Sequence, residues 1–183
     1  GFTGRTWLVA MVLLLAWVVA CALFRDARRV TDQFDAAVLR VIAGLRTTWL
    51  TEALTEVDAW FSGWTVTVVG IGLLLALVVF KRWRHLFTFL GGVALVELVS
   101  GDILYNGFTR PRPYDVATIG RWAGFSLPSP PVVVVTMLLL GIVYGLMVPG
   151  PARRMAKWAA AGLIGVFAFA RLYLAVDHPF DIL

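Results

Sequence analysis

Long runs without a charged side chain restrict the folds open to this chain more than any other feature of its sequence. Five segments are apolar over 18 residues or more: 7–24, 62–80, 86–104, 130–148 and 158–176. Only Glu97, Asp102 and Arg171 bring a charge into them. Because a helix needs about 20 mainly apolar residues to cross the hydrocarbon core of a bilayer, the pattern predicts five membrane-spanning helices.

Two further segments complete the predicted architecture. Residues 25–61 read as an amphipathic, partly helical connection that lies on the membrane surface or packs against the bundle; its apolar residues recur at spacings of three or four, at Phe34, Val38, Val41 and Leu45. A sixth span should begin at Pro179, since proline is favoured at the first helical position and Asp181 adds a negative charge to that turn.

The expected fold is therefore an all-α polytopic membrane bundle of six transmembrane helices, with the amphipathic segment between the first two. We expect one domain over residues 1–183. The sixth helix is cut short at Leu183, so we expect these residues to form the front part of a longer chain. Glu97, in the middle of the third span, is expected to be a structural polar contact or a proton or transport group.

Composition excludes several classes of function. Hydrophobic residues make up 60% of the chain, above the roughly 45–50% of soluble domains, which argues against a soluble enzyme. The net charge of +5 does not indicate nucleic-acid binding, because so apolar a chain has no continuous soluble face for a duplex. The single cysteine, Cys21, cannot form an internal disulfide. No His, Asp or Glu set has metal-ligand spacing, so no metal or cofactor is expected.

Basic residues beside the predicted spans indicate an orientation in the membrane. Placing Arg5 and the clusters at 81–84 and 153–157 in the cytoplasm puts seven basic residues there and nine outside, so the raw count alone does not support this orientation. Five of the nine belong to the long 25–61 connection, which also holds six acidic residues. Other arginines then lie on the opposite side and need a separate reason to be there: Arg110, Arg112, Arg121 and Arg171.

Binding of a phosphate-sized anion would explain why these arginines lie on that side of the membrane. The predicted topology brings Arg110, Arg112, Ser129 and Arg171 to one membrane face, beside Asp177, His178 and Asp181. Guanidinium groups bind phosphate oxygens through paired hydrogen bonds and stay charged, while a serine hydroxyl and helix N-terminal amides add neutral donors. These residues predict an anion-binding site at the extracytoplasmic surface.

The same segments contain three short motifs. The first runs from Tyr105 to Arg112-Pro113, the second is Pro128-Ser129-Pro130-Pro131, and the third runs from Ala170-Arg171 through Asp177 to Asp181. At these residues the chain resembles the type 2 phosphatidic acid phosphatase family of membrane enzymes, the lipid branch related to vanadium haloperoxidases. The resemblance extends from about Leu54 to Leu183.

The resemblance implies roles for individual residues. It assigns phosphate binding to Arg112, Ser129 and Arg171, and puts Tyr105 where the family has a lysine. Asp177 stands where the family has its nucleophilic histidine, and Asp181 where an aspartate orients that histidine. Pro131 stands where a second histidine protonates the leaving alcohol. Ordinary family hydrolysis is therefore expected to be lost or strongly impaired.

Three interpretations of function follow. The first is a lipid-phosphate-recognising domain without effective hydrolysis. The second is an active lipid-phosphate or pyrophosphate phosphatase or phosphotransferase that uses His178, one position beyond the aligned site, or Asp177 as nucleophile. The third is a non-catalytic assembly, transport or sensing module of a larger membrane protein.

Partners and location follow from the same resemblance. The expected partners are membrane lipids, with a lipid phosphate or polyprenyl phosphate as ligand, together with domains after residue 183 and a second copy of the chain in a homo-oligomer. The expected location is a bacterial-type plasma membrane, crossed several times, with the site on the extracytoplasmic face.

Overall fold

A computed structural model describes residues 4–98, 110, 112–113, 116–120 and 129–182. Its helices are α1 (Gly4–Leu23), α2 (Arg25–Gly44), α3 (Thr48–Ser62), α4 (Trp64–Val79), α5 (Trp83–Val96), α6 (Pro130–Leu146), α7 (Pro151–Tyr173) and the short α8 (Pro179–Ile182). The described ranges contain no β-strand, so the all-α prediction is confirmed for them.

The helices differ in their capacity to cross a bilayer. Among the described residues, α7 alone is long and apolar enough to do so, and α3 and α4 together satisfy the same criteria as one span bent by 41°. Shorter apolar helical stretches occur at Val12–Cys21, α5 and α6. The count of six spans stays a prediction.

The bend between α3 and α4 is located at Gly63. A Cβ atom at this position would lie 2.6 Å from the carbonyl oxygen of Ala59, closer than real Cβ atoms approach any atom. The chain can therefore turn at this point only because the residue is glycine.

The amphipathic segment forms two helices. Asp35 accepts a hydrogen bond from the N–H of Phe180 in α8, and Thr31 accepts one from Trp17 Nε1 in α1, both at 3.1 Å. These two residues and Leu39 form the buried stripe of α2. Its apolar Phe34 and Val41 point outward and are 62% and 69% exposed. The outward surface also carries charged residues such as Arg29, Asp32 and Arg40. α2 therefore presents both an apolar and a charged side to its surroundings, as does a helix that lies at a membrane surface.

Helix α7 is the centre of the packing. Phe167, which is fully buried, packs with Val132 and Val135 of α6. Where α6 meets α4 and α5, Gly141 allows close approach, since a Cβ atom there would lie 2.6 Å from the Phe89 ring. Helices in lipid associate through such close contacts of small residues.

The basic clusters lie at the end of the bundle opposite the predicted anion site. α7 begins at Pro151, earlier than the predicted start at residue 158, because proline fits the first helical position. Arg153 therefore lies in its first turn and Arg171 in its last, about 27 Å apart at 1.5 Å per residue. Arg82 is held at the Arg153 end by a 2.8 Å hydrogen bond from its Nη1 to the carbonyl oxygen of Gly145.

Candidate functional site

Three residues predicted to bind phosphate meet at one carboxylate, that of Asp177. Its Oδ2 accepts hydrogen bonds from Arg171 Nε at 2.7 Å and from Ser129 Oγ at 2.6 Å. Its Oδ1 accepts from Arg112 Nη1. All four side chains are buried, and Asp177 and Ser129 are completely so. A carboxylate of the protein thus occupies the position expected for the oxygens of a bound phosphate.

A reversing turn after α7 places Asp177 over Arg171. The N–H of Val176 donates to the carbonyl of Arg171, and the N–H of Ala175 donates to that of Leu172, both at 3.0 Å. This pair of bonds is a Schellman motif, in which the residue after the C-cap is left-handed. Ala175 adopts that conformation with φ of 53°, at a cost of about 1–2 kcal/mol where glycine would have none.

Ser129 and Arg112 reach the same carboxylate from separate segments. Ser129 precedes the first turn of α6, and its own N–H donates to the carbonyl of Asp181 at 2.9 Å. Arg112 also donates from Nη1 to the carbonyl of Val176 at 2.9 Å. Burial lowers the pKa of the Arg112 guanidinium; Asp177 opposes this and the nearby Arg171 adds to it.

A second carboxylate balances the charge of the cluster. Arg171 Nη1 donates to Asp58 Oδ1 of α3 at 3.1 Å, and Ser62 Oγ donates to the same oxygen at 3.1 Å. Two guanidinium groups, Arg112 and Arg171, therefore face two carboxylates, Asp58 and Asp177. The two positive charges predicted to neutralise a phosphate are already neutralised internally.

Arg110 lies in a separate ionic cluster. Its Nη2 donates to Asp32 Oδ1 and Asp35 Oδ2, each at 2.7 Å, and its Nη1 donates to Asp181 Oδ1 at 2.6 Å. Burial lowers the pKa of Arg110, but its carboxylate partners outweigh burial and leave the pKa raised. Burial raises the pKa of Asp35, and Arg110 opposes that rise. His178 adjoins this cluster, with Nδ1 4.0 Å from Asp35 Oδ2.

Residues of the third motif thus diverge between the two clusters. Asp177 points to Arg112 and Arg171, while Asp181 pairs with Arg110 and His178 lies beside Asp35. Tyr105, the remaining predicted phosphate ligand, lies outside the described residues.

Sequence reasoning missed Asp35 and Asp58. The apolar spacing of residues 25–61 drew attention to the outer face of α2, whereas Asp35 lies on the inner face between Thr31 and Leu39. That buried stripe at spacings of four is the signal that could have revealed Asp35. Asp58 follows Leu54 by four residues on the buried face of α3, so the same spacing pointed to it.

Arg46 stabilises the C-terminal end of α7 through hydrogen bonds to backbone carbonyls. Its Nε and Nη2 donate to the carbonyl of Tyr173 at 3.1 and 2.9 Å, and its Nη1 donates to that of Ala117 at 2.7 Å. Cationic side chains stabilise the unpaired carbonyls of a helix C-terminus in this way. Tyr173 returns a contact, because its hydroxyl accepts from the N–H of Thr47 at 2.9 Å. The loop between α2 and α3 thus fixes the end of α7 that presents Arg171.

Comparison with known proteins identifies the fold. The chain matches no protein-family model and no curated protein. It is similar to the crystal structure of a transmembrane PAP2-type phosphatidylglycerolphosphate phosphatase from Bacillus subtilis, with a TM-score of 0.67 and 18% sequence identity over 96% of this chain and 86% of that one. The chain therefore has the fold of a PAP2-type phosphatase.

Proposed function

We propose that this chain is a membrane-embedded, lipid-phosphate-recognising domain on the PAP2-type fold, in which hydrolysis is lost or strongly impaired. The observation that carries the proposal is the position of Asp177. This carboxylate lies among Arg112, Ser129 and Arg171, the donors that the family resemblance assigns to phosphate.

The loss of hydrolysis follows from what those donors do to Asp177. Both of its oxygens accept hydrogen bonds from buried donors, and a carboxylate stabilised in this way is a weak nucleophile. Pro131 has no proton to give a leaving alcohol. Loss of an essential nucleophile costs on the order of 10⁶ in rate in a well-characterised hydrolase.

Recognition of phosphate requires Asp177 to move aside. Two guanidinium groups and a hydroxyl then form a donor set suited to a phosphate dianion. Asp177 acts as an internal competitor, so the resting protein binds lipid phosphate weakly and selectively. The candidate ligands are phosphatidic acid, polyprenyl phosphates and, from the activity named for the structural neighbour, phosphatidylglycerolphosphate.

The proposed placement puts the Asp177 end on the extracytoplasmic face of a bacterial-type plasma membrane that the chain crosses several times. The 81–84 and 153–157 clusters then face the cytoplasm. The outward apolar surface of the helices supports a lipid environment; it includes Leu13 and Leu75, which are at least 60% exposed.

Calorimetric titration of the purified protein with phosphatidic acid, against diacylglycerol as the matched alcohol, tests recognition. Asp177→Ala should tighten binding of the phosphate form alone. In that background, Arg112→Ala should weaken it by about 10–100-fold, from the loss of hydrogen bonds to a charged group. Arg40→Ala is the matched control, an exposed arginine of α2 whose described hydrogen bond goes to the backbone carbonyl of Ala36. Equal affinity for phosphatidic acid and diacylglycerol would refute the proposal.

Two alternatives are separated by further measurements. The charge balance within the cluster favours an assembly module, in which the ion pairs only hold the fold; that reading predicts no gain of phosphate binding in Asp177→Ala. The active-phosphatase reading predicts release of phosphate that depends on His178. We expect wild-type protein to release phosphate no faster than His178→Ala.

A further inference from the structure

A cleft between α5 and α6 lies at the end of the bundle opposite Asp177. Its volume is about 650 Å³, and Arg84, His85 and Thr88 of α5 line one side. Met137 and Tyr144 of α6 line the other. Nothing in the proposed lipid-phosphate site uses this cleft, because α7 alone separates the two ends by about 27 Å.

The cleft changes from charged to apolar along its length. Arg84 and His85 lie near the start of α5, and Gly92 lies two turns further along the same side of that helix, opposite Met137. From residue 84 to residue 92 the helix rises about 12 Å. A cationic mouth that leads to an apolar groove of this length matches a phospholipid, with its headgroup at the helix end and the upper part of an acyl chain between the helices.

Two more cations are held at the mouth by Tyr144. The Arg153 guanidinium carbon lies 4.4 Å from the centre of the Tyr144 ring, and Lys157 Nζ lies 4.9 Å from it. Both distances are within the range of cation–π attraction. Arg153 Nε is buried and has no hydrogen-bond acceptor among the described residues.

No ion pair joins the cations at this end to a carboxylate among the described residues. Neither 81–96 nor 130–176 contains an Asp or a Glu, whereas the two clusters supply six lysines and arginines: Lys81, Arg82, Arg84, Arg153, Arg154 and Lys157. At the other end, in contrast, Arg110, Arg112 and Arg171 each form an ion pair with a carboxylate. The described residues thus supply no anionic group complementary to the mouth, and an external anion can fill that role.

We propose that this cleft binds an anionic glycerophospholipid of the surrounding bilayer. The lipid phosphate lies between Arg84 and the Arg153–Tyr144–Lys157 stack, and one acyl chain follows the groove toward Gly92. The site goes beyond the proposed recognition of lipid phosphate at Asp177, with which it shares only the placement in a membrane.

Native mass spectrometry of delipidated protein in neutral detergent, titrated with phosphatidylglycerol or phosphatidylcholine, tests the proposal. Wild-type protein should retain phosphatidylglycerol at lower lipid concentration than phosphatidylcholine. Arg84→Gln should weaken retention of phosphatidylglycerol by about five- to tenfold. Arg154→Gln is the matched control: it removes one charge from the same cluster, but Arg154 does not line the cleft, so the change should stay below twofold.

Substitutions of Tyr144 separate the ring from its hydroxyl. Tyr144→Leu removes the surface that holds Arg153 and Lys157 and should lower retention, whereas Tyr144→Phe keeps the ring and should preserve it. In an Asp177→Ala background the difference between Arg84→Gln and Arg154→Gln should persist, so failure of one site is distinguishable from failure of the other. Equal retention of both lipids, or equal losses in Arg84→Gln and Arg154→Gln, would overturn the proposal and reduce the cluster to general surface charge.

Discussion

Removal of the Asp177 carboxylate gives a sharp test, because it converts an ion-paired cluster into one with an excess of positive charge. In Asp177→Ala, the buried Arg171 keeps its ion pair with Asp58, whereas the buried Arg112 loses its ion pair with Asp177. Breaking a buried ion pair by removing one partner costs about 3–5 kcal/mol. For a chain of this size that lowers the melting temperature by roughly 6–20 °C.

An added anion should reverse this loss only if the vacated position accepts one. A ligand at 100 times its dissociation constant stabilises the folded state by about 2.7 kcal/mol. Thermal unfolding of Asp177→Ala should therefore recover most of its lost melting temperature with phosphatidic acid and little with diacylglycerol.

Asp58→Ala provides the matched control for that experiment. It also removes a carboxylate partner of Arg171, but it leaves Asp177 between Arg112 and Arg171. It should be destabilised without selective rescue by phosphate. If both variants recover equally, or if neither does, then the Asp177 position is not an anion site and the reasoning is refuted.

Three further outcomes are expected. With Cys21 replaced, single cysteines at Thr118 and Arg153 should be labelled from opposite sides of the membrane; labelling from one side would contradict the proposed topology. Burial raises the pKa of Asp35, so its contribution to stability is complete below pH 3.8 and declines as the pH rises through the folded-state pKa. Across that pH range, the melting temperature of Asp35→Asn should decline less than that of the wild type. An identical decline in both proteins would argue against the raised pKa. Gly63→Ala should cost about 1–3 kcal/mol in unfolding free energy because its Cβ meets backbone, whereas Gly72→Ala, with open space around it, should cost nothing.

Sequence alone was sufficient for the fold class and for the helix-forming segments near Trp64, Pro130 and Pro179. Long uncharged runs have few alternatives to helix in lipid, because each backbone polar group must be satisfied within its own segment. Three motif residues, Arg112, Ser129 and Arg171, converge at one end of the bundle, and their role as phosphate ligands stays a prediction. The positions of these residues near the ends of predicted helices depend on the local sequence, so they can be predicted without the tertiary structure.

Only the tertiary structure decided what those donors bind. The resemblance put Asp177 at the position of a nucleophile, and no linear pattern could pair Asp58 with Arg171, which lies 113 residues away. Ion-pair choice depends on distances of a few ångströms between segments far apart in the chain, and on burial, which makes every unpaired charge costly. The Schellman turn at Ala175 sets those distances, so the fold directs Asp177 toward Arg112 and Arg171 while His178, the next residue, lies beside Asp35.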